Sequence, residues 1–98
     1  MKIAVGLILT MFVPNAQAAT VGEMLSASCW SCHGPRGASP GAIPPLQGLT
    51  QDRIAADMSA YRTGQKSGTV MPAIARGYDD VEIAAIAAYV ASSVAAPP

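Results

Sequence analysis

The stretch Cys29-Trp30-Ser31-Cys32-His33 determines how the rest of this sequence is interpreted. The chain has 2 Cys and 1 His, and all three lie within this stretch. A C-x-x-C-H run is typical of covalent attachment of a c-type haem, in which each thiol adds across a vinyl group of the porphyrin. The histidine that follows presents its imidazole to the iron. The sequence therefore predicts one covalent haem c, attached through Cys29 and Cys32, with His33 as an axial ligand.

Three other chemistries use closely spaced cysteines: a disulfide, a thioredoxin-like redox pair and half of a zinc site. Zinc requires four ligands from Cys, His or carboxylates, and the sequence has no second Cys/His pair to complete the set. A thioredoxin-like pair follows a β-strand in a βαβ unit, and no such pattern surrounds this one. Haem attachment is therefore favoured. A disulfide would form in an exported protein only if haem did not capture the thiols.

The first residues have the form of an export signal. Lys2 gives a positive start, residues 3–13 form an apolar run, and residues 16–18 (AQA) are an A-x-A cleavage site. The run is shorter than the roughly 20 residues that a membrane helix needs, which argues against a retained anchor. We therefore expect a cleaved signal peptide at residues 1–18, one domain at residues 19–98, no membrane span after cleavage and a periplasmic location.

Charge and composition exclude some partners. The chain has 6 basic and 6 acidic residues, so a basic surface for nucleic acid or an anionic membrane is not supported. Loss of Lys2 with the signal would leave the acidic residues in excess. Large aromatic side chains are scarce, with 1 Trp, 3 Tyr and 1 Phe. Such a small chain forms a marginal core alone, and we expect a flat apolar cofactor to supply the missing volume.

Capping signals and apolar periodicity predict the first two of three helices. Residues 20–23 (TVGE) have the form of a capping box, which opens a short helix that runs into the Cys29 site. Thr50 is a good N-cap for a second helix, and Gly64 occupies the place of a C-terminal cap. The apolar face of the second helix consists of Ile54, Met58 and Tyr61.

The third helix is predicted from the acidic run at residues 79–82 (DDVE), which caps its start, and from the prolines at 97–98, which end it. Residues 34–48 and 64–72 are predicted to be loops. No run alternates like a strand, so the sequence predicts an all-α fold. The apolar stripe of the third helix consists of Ile83, Ile86, Ala87 and Val90.

A glycine within the first predicted helix indicates a close contact between helices. Gly22 costs about 1 kcal/mol of helix stability relative to alanine. We therefore expect Gly22 to permit a close helix crossing. Tyr89 on the third helix is the residue expected to fill the space above it.

The opposite face of the iron needs a second donor, and the chain has no second histidine. Met24 is too near His33 in sequence to reach that face. Met58 belongs to the apolar stripe of the second helix, where a core role is favoured. Met71 is in a predicted loop, followed by Pro72, and is free to present its thioether. We therefore predict His33 and Met71 as the axial pair, an arrangement typical of electron-carrying cytochromes that raises the reduction potential.

The chain resembles class I cytochromes c over most of residues 19–98. Besides residues 29–34 (CWSCHG), residues 44–48 (PPLQG) fit the P-x-L-x-G segment of that class. The resemblance implies a small fold of three main helices and loops around one haem. It also implies that the Pro44 carbonyl accepts the Nδ1 proton of His33, and that Leu46 packs on the haem face.

Within that class, three segments look like the cytochrome subunit of flavocytochrome c sulfide dehydrogenases: residues 42–44 (AIP), 61–64 (YRTG) and 71–78 (MPAIARGY). The resemblance implies an electron carrier with no catalytic site of its own. Its donor would be an FAD-containing flavoprotein that oxidises sulfide, and other redox proteins would accept its electrons. Many relatives of that subunit have two haem domains, whereas this chain has one C-x-x-C-H run.

Two other functions remain open at this point. The protein could be a free-standing soluble shuttle to a terminal oxidase, or a haem sensor module in which Met71 is displaced by a gas. The surface expected around the haem edge is mostly apolar, which favours a lasting subunit contact over a brief electrostatic encounter. That surface consists of Trp30, Val70, Pro72, Ala73 and Ile74.

Overall fold

The computed structural model describes Gly6 and residues 16–93, and this part of the chain is helical. Its α-helices are α1 (Ala16–Ser26), α2 (Trp30–His33), α3 (Gln51–Thr63), α4 (Met71–Ala75) and α5 (Asp80–Ser93). Short 3-10 helices occupy Ala27–Cys29 and Pro35–Gly37. No strand occurs among the described residues, which confirms the all-α prediction. None of these helices is long and apolar enough to cross a membrane.

The first helix begins earlier than predicted. Helix α1 starts at Ala16, not at the capping box of residues 20–23. The reason is that alanine and glutamine at residues 16–19 (AQAA) are strong helix formers, so the helix continues upstream. At its other end the chain passes through a 3-10 turn into α2, so the prediction that the first helix leads into the Cys29 site is confirmed. Residues 1–5 and 7–15 of the predicted signal lie outside the described residues.

The predicted bounds of the second helix are confirmed in α3. The Thr50 side-chain oxygen accepts a hydrogen bond from the Arg53 backbone N–H at 3.1 Å, which satisfies one of the free donors at the helix start. Gly64 ends the helix in the left-handed conformation, with φ 85° and ψ 4°. Ile54 and Met58 face the core and are buried.

The third predicted helix corresponds to α5, and its capping box is present. The Glu82 backbone N–H donates to the Asp79 carboxylate at 2.8 Å, and the Asp79 backbone N–H donates to the Glu82 carboxylate at 3.0 Å. Helix α5 is described as far as Ser93, and the two final prolines, which were predicted to end it, lie outside the described residues. The predicted apolar stripe is buried and forms the centre of the core: Ile83, Ile86, Ala87 and Val90.

Helices α1 and α5 cross closely at Gly22. A Cβ atom added to Gly22 would lie 2.5 Å from the Ala85 carbonyl oxygen and 2.9 Å from the Tyr89 Cβ. No larger residue fits without movement of the α5 backbone, so the predicted crossing is confirmed. Helix α3 packs against α5 on another side of the core and also contacts α4.

The two predicted loops contain short helices. Met71 and Pro72 belong to α4, so their assignment to a loop is wrong. Proline is well tolerated in the first turn of a helix, and the small residues that follow continue it. In the other loop, residues 35–37 form a 3-10 turn. These elements were missed because helices of three to five residues are too short to show an apolar period.

Candidate functional site

The two cysteines lie on consecutive short helical turns with free thiols. Cys29 is the last residue of a 3-10 turn and is half-buried, whereas Cys32 lies in α2 and is exposed. Neither forms a disulfide. Burial, and to a lesser extent the charge that Cys32 would carry, raises the pKa of the Cys29 thiol. A raised pKa makes the Cys29 thiolate less accessible, which disfavours a thioredoxin-like redox role.

His33 is fixed by a hydrogen bond to the following loop. Its Nδ1 lies 2.6 Å from the Pro44 carbonyl oxygen. A carbonyl oxygen only accepts, so Nδ1 donates and therefore holds the proton of the neutral ring. The lone pair is then on Nε2, which is the form in which histidine binds a metal. The contact that the resemblance implied for Pro44 is thus present in the structure.

Turns within the loop hold the Pro44 carbonyl in place. Gly34 has φ 83°, and a Cβ atom added there would lie 2.7 Å from the Ala38 carbonyl oxygen, so only glycine fits after His33. The Leu46 backbone N–H donates to the Gly37 carbonyl at 2.9 Å, which closes the loop around Pro44. The Leu46 side chain is half-buried and packs against the hydrophobic core.

The three methionines considered as ligands lie in different environments. Met24 on α1 is 72% exposed, and Met58 on α3 is 7% exposed within the core. Met71, the first residue of α4, is half-buried and packs at the edge of the core. Met71 is therefore placed neither on the open surface nor in the closed core.

A cleft lies beside the cysteines. It has a volume of about 400 Å³ and is open to solvent, and Trp30 and Cys32 line one side of it. The opposite side consists of loop residues 39–43. The Cys32 side chain is therefore accessible to solvent through this cleft.

Helix α3 supplies a side chain whose importance could not be read from the sequence. Arg62 donates to the Tyr78 carbonyl at 3.3 Å and forms an ion pair with Asp80. These partners are 16 and 18 residues away along the chain. Residues 61–64 were singled out only through a resemblance, because no local pattern connects Arg62 to so distant a segment.

Ser26 was also missed by the sequence analysis. It lies on the last turn of α1, just before the attachment turn, and its side chain is completely buried. Its hydroxyl has no hydrogen-bond partner in the described part of the protein. A buried hydroxyl without a partner costs about 1–3 kcal/mol, so this residue is an unfavourable element of the packing.

The side chains at this site fit a c-type haem in their chemistry. Two free thiols lie three residues apart, and the imidazole that follows has its proton fixed on Nδ1. A bare metal ion fits less well, because nowhere in residues 16–93 do three His, Cys, Asp or Glu side chains cluster as ligands. The described structure therefore offers no support for a zinc site.

Comparison with known proteins agrees with this chemistry. The family model described as cytochrome c matches residues 19–93. The chain belongs to the cytochrome c family. The fold is thus a small class I cytochrome c, and the chain has one covalent haem c, for which Cys29 and Cys32 provide the C-x-x-C-H motif.

Three relatives show how far the similarity extends. The cytochrome subunit of sulfide dehydrogenase from Chlorobaculum tepidum is 40% identical over 68 residues, which are 69% of this chain and 62% of the relative. A thiosulfate dehydrogenase electron acceptor from Stutzerimonas stutzeri is 38% identical over 65% of this chain and 32% of the relative. Cytochrome c-554(548) from Halomonas halodenitrificans is 37% identical over 76% of this chain and 94% of the relative. The chain thus spans less than two thirds of the first two relatives.

Family membership defines the general activity. The relatives are cytochromes, a cytochrome subunit and an electron acceptor. The protein is accordingly a cytochrome c electron-transfer protein.

Proposed function

We propose that this cytochrome is a periplasmic electron carrier with a six-coordinate iron that accepts electrons from a flavoprotein sulfide dehydrogenase. The hydrogen bond from His33 Nδ1 to the Pro44 carbonyl carries the assignment of the site, because it directs the Nε2 lone pair away from the loop. The 40% identity to a sulfide dehydrogenase cytochrome subunit supports the partner.

We assign a role to each predicted site residue. Cys29 and Cys32 would hold the haem through thioether bonds, His33 would provide a nitrogen ligand to its iron, and Pro44 keeps that imidazole in the correct tautomer. Leu46 packs against the haem face. Met71 supplies the second axial ligand, which is supported by its half-buried position at the edge of the core.

When bound, the haem supplies an iron that exchanges one electron with a partner without forming or breaking bonds. The protein's part is to keep the ligands in place in both oxidation states. Pro44 prevents rotation of the His33 ring, and α4 restricts the movement of Met71 because it packs on α3. A thioether ligand favours the reduced state and raises the potential.

Export is supported by the N-terminal sequence. The family match begins at residue 19, directly after the predicted cleavage site at residues 16–18. Cleavage there would remove residues 16–18 of α1 and leave the crossing at Gly22 intact. The protein would then be periplasmic. In that oxidising compartment a free cysteine pair tends to form a disulfide, unless haem is attached to the two thiols.

The surface beside Met71 supports a lasting contact with a partner. Val70 and Ile74, which flank the ligand, are 56% and 39% exposed. Exposed apolar side chains next to a redox centre are suited to a subunit interface that depends little on salt.

A free-standing shuttle is the second candidate. One observation favours it: cytochrome c-554(548), which is 37% identical to this chain, is named as a cytochrome and not as a subunit. The two candidates differ in whether the haem protein stays with its electron donor.

The test of the partner is gel filtration of the haem protein with the flavoprotein at low and high ionic strength, followed by sulfide-dependent haem reduction. A stable complex at both salt concentrations and rapid reduction are expected. Val70→Lys should weaken the complex, whereas Val81→Lys, the same substitution at a more exposed site on α5 (78% against 56%), should not. Dissociation in moderate salt, or no complex, would favour the free shuttle.

Met71 ligation has its own test. Met71→Ala should abolish the sulfur-to-iron absorption at the red end of the oxidised spectrum and lower the reduction potential. Persistence of this absorption in Met71→Ala would show that another residue is the ligand.

A further inference from the structure

The segment that contains Met71 is internally bonded from residue 70 to residue 78. Backbone N–H groups of residues 73, 74, 76, 77 and 78 donate to carbonyls of residues 70, 72, 74 and 75 at 3.0 to 3.2 Å. Ala75, in the middle of the segment, is completely buried against the core. The segment therefore moves as one unit, and a restraint on its far end also restrains Met71.

Arg62 provides such a restraint. Its side chain extends from the last turn of α3, donates to the Tyr78 carbonyl at 3.3 Å and pairs with the Asp80 carboxylate. One guanidinium thus joins α3 to the end of the Met71 segment and to the start of α5. The Arg62 side chain is 25% exposed and its bond to the Tyr78 carbonyl is partly buried, whereas the Asp80 side chain is 85% exposed, so water screens the ion pair more than the hydrogen bond.

The near end of the segment is held by packing on α3. A Cβ atom added to Gly68 would lie 3.2 Å from the Tyr61 ring and 3.3 Å from Pro72 Cδ, so the chain passes closely over that ring. Lys66 bonds through its backbone N–H to the Ala60 carbonyl at 3.0 Å, which fixes the preceding turn. Helix α3 therefore holds the segment at both ends, by packing at one and by Arg62 at the other.

We propose that Arg62 is a positioning residue for the second axial ligand. By holding Tyr78 and Asp80, it keeps the Met71 segment on α3 and determines how readily Met71 leaves the iron. The proposal rests on the assignment of Met71 as the ligand. Arginine is suited to this role because two nitrogens of a rigid planar group bind two acceptors at once, which the single ammonium of lysine does less well.

A positioning role and a purely structural role predict different results. If Arg62 only stabilised the fold, its loss would lower the melting temperature and leave ligand exchange in the folded protein unchanged. If it positions Met71, its loss exposes the iron to external ligands in protein that is still folded.

The experiment is a titration of the oxidised holoprotein with imidazole. Binding is monitored through the loss of the sulfur-to-iron absorption. Arg62→Gln should bind imidazole about tenfold more tightly, because one hydrogen bond and one partly screened ion pair no longer oppose release of Met71. Arg53→Gln is the control: Arg53 lies on the same helix, is 62% exposed and pairs with Asp57 within α3. Imidazole affinity in Arg53→Gln should equal that of the wild type.

Two further variants keep the proposal testable if Arg62→Gln does not fold. Arg62→Lys keeps the charge, and its imidazole affinity should rise less above that of the wild type than the affinity of Arg62→Gln does. Asp80→Asn removes the ion pair but not the bond to Tyr78, and its imidazole affinity should lie between those of Arg62→Gln and the wild type. Wild-type affinity in all of the folded Arg62 and Asp80 variants would overturn the positioning role. Absence of the absorption in the wild type, or its persistence in Met71→Ala, would instead overturn the ligand assignment and the proposal with it.

Discussion

The helical frame and the attachment region of this cytochrome are stabilised in different ways. The frame, consisting of α1, α3 and α5, buries large aliphatic side chains, and Ile86 and Val90 on α5 are at most 2% exposed. In the attachment region, residues 27–49, the sole buried residue is Gly37. This region is arranged by backbone hydrogen bonds and by the contact between His33 and Pro44. Side-chain packing thus defines how the helices of the frame meet, whereas the attachment region has almost no packed side chains of its own, and we expect both regions to need the covalent cofactor for stability.

The largest effect is expected from loss of haem attachment. The double variant Cys29→Ala, Cys32→Ala leaves the attachment region without the group that it surrounds, and the frame alone forms a marginal core. We expect a largely unfolded protein by circular dichroism. Cooperative melting of a compact haem-free variant would show that the frame is sufficient for folding and would break the comparison.

The next largest effect should distinguish a core methionine, Met58, from the proposed iron ligand, Met71. Met58 is 7% exposed in the frame, so Met58→Ala should lower the free energy of unfolding by about 2–5 kcal/mol and leave the sulfur-to-iron absorption intact. Met71→Ala should do the reverse, with loss of absorption and a smaller loss of stability. Denaturant titration and visible spectra of both holoproteins measure the difference. Loss of the absorption in Met58→Ala alone would show that Met58 is the ligand and that Met71 is not.

The frame was largely predictable from sequence because its signals are local. Thr50 and Gly64 mark the ends of α3 within their own neighbourhood, and the Asp79 and Glu82 capping box marks the start of α5. The start of α1 was placed too late, because a favourable capping box does not prevent a run of good helix formers from continuing upstream.

The site was predictable only in part. The sequence identified Cys29, Cys32 and His33 because they are adjacent, whereas the contact of His33 with Pro44 was expected only through a family resemblance. The role of Arg62 depends on a segment 16 residues away, and the five residues of α4 are too few to show an apolar period. Long-range polar contacts and very short helices arise from the tertiary structure, which local sequence patterns do not contain.

Two glycine-to-alanine substitutions, one in each region, test this difference in packing. In the frame, Gly22→Ala would place a Cβ atom 2.5 Å from the Ala85 carbonyl oxygen, and the α5 backbone must shift. We expect a loss of about 1–3 kcal/mol in the free energy of unfolding. In the attachment region, Gly41→Ala meets nothing within 4 Å, and its stability should change by less than about 0.5 kcal/mol. Equal losses from the two variants in thermal melts would contradict the difference in packing.

The smallest effect concerns Ser26, at the boundary between the frame and the attachment region. Its hydroxyl is completely buried and has no partner among the described residues, and serine is a weaker helix former than alanine. Ser26→Ala should therefore raise the free energy of unfolding by about 1 kcal/mol, which corresponds to a rise of roughly 4–8 °C in the melting temperature. Ser28→Ala, at an exposed position in the next turn, is the matched control and should leave the melting temperature unchanged. A lower melting temperature in Ser26→Ala than in Ser28→Ala would mean that the Ser26 hydroxyl is hydrogen-bonded in the holoprotein. The cofactor would then contribute to the packing of α1 as well as to the attachment region, and the boundary between the two regions would move into the frame.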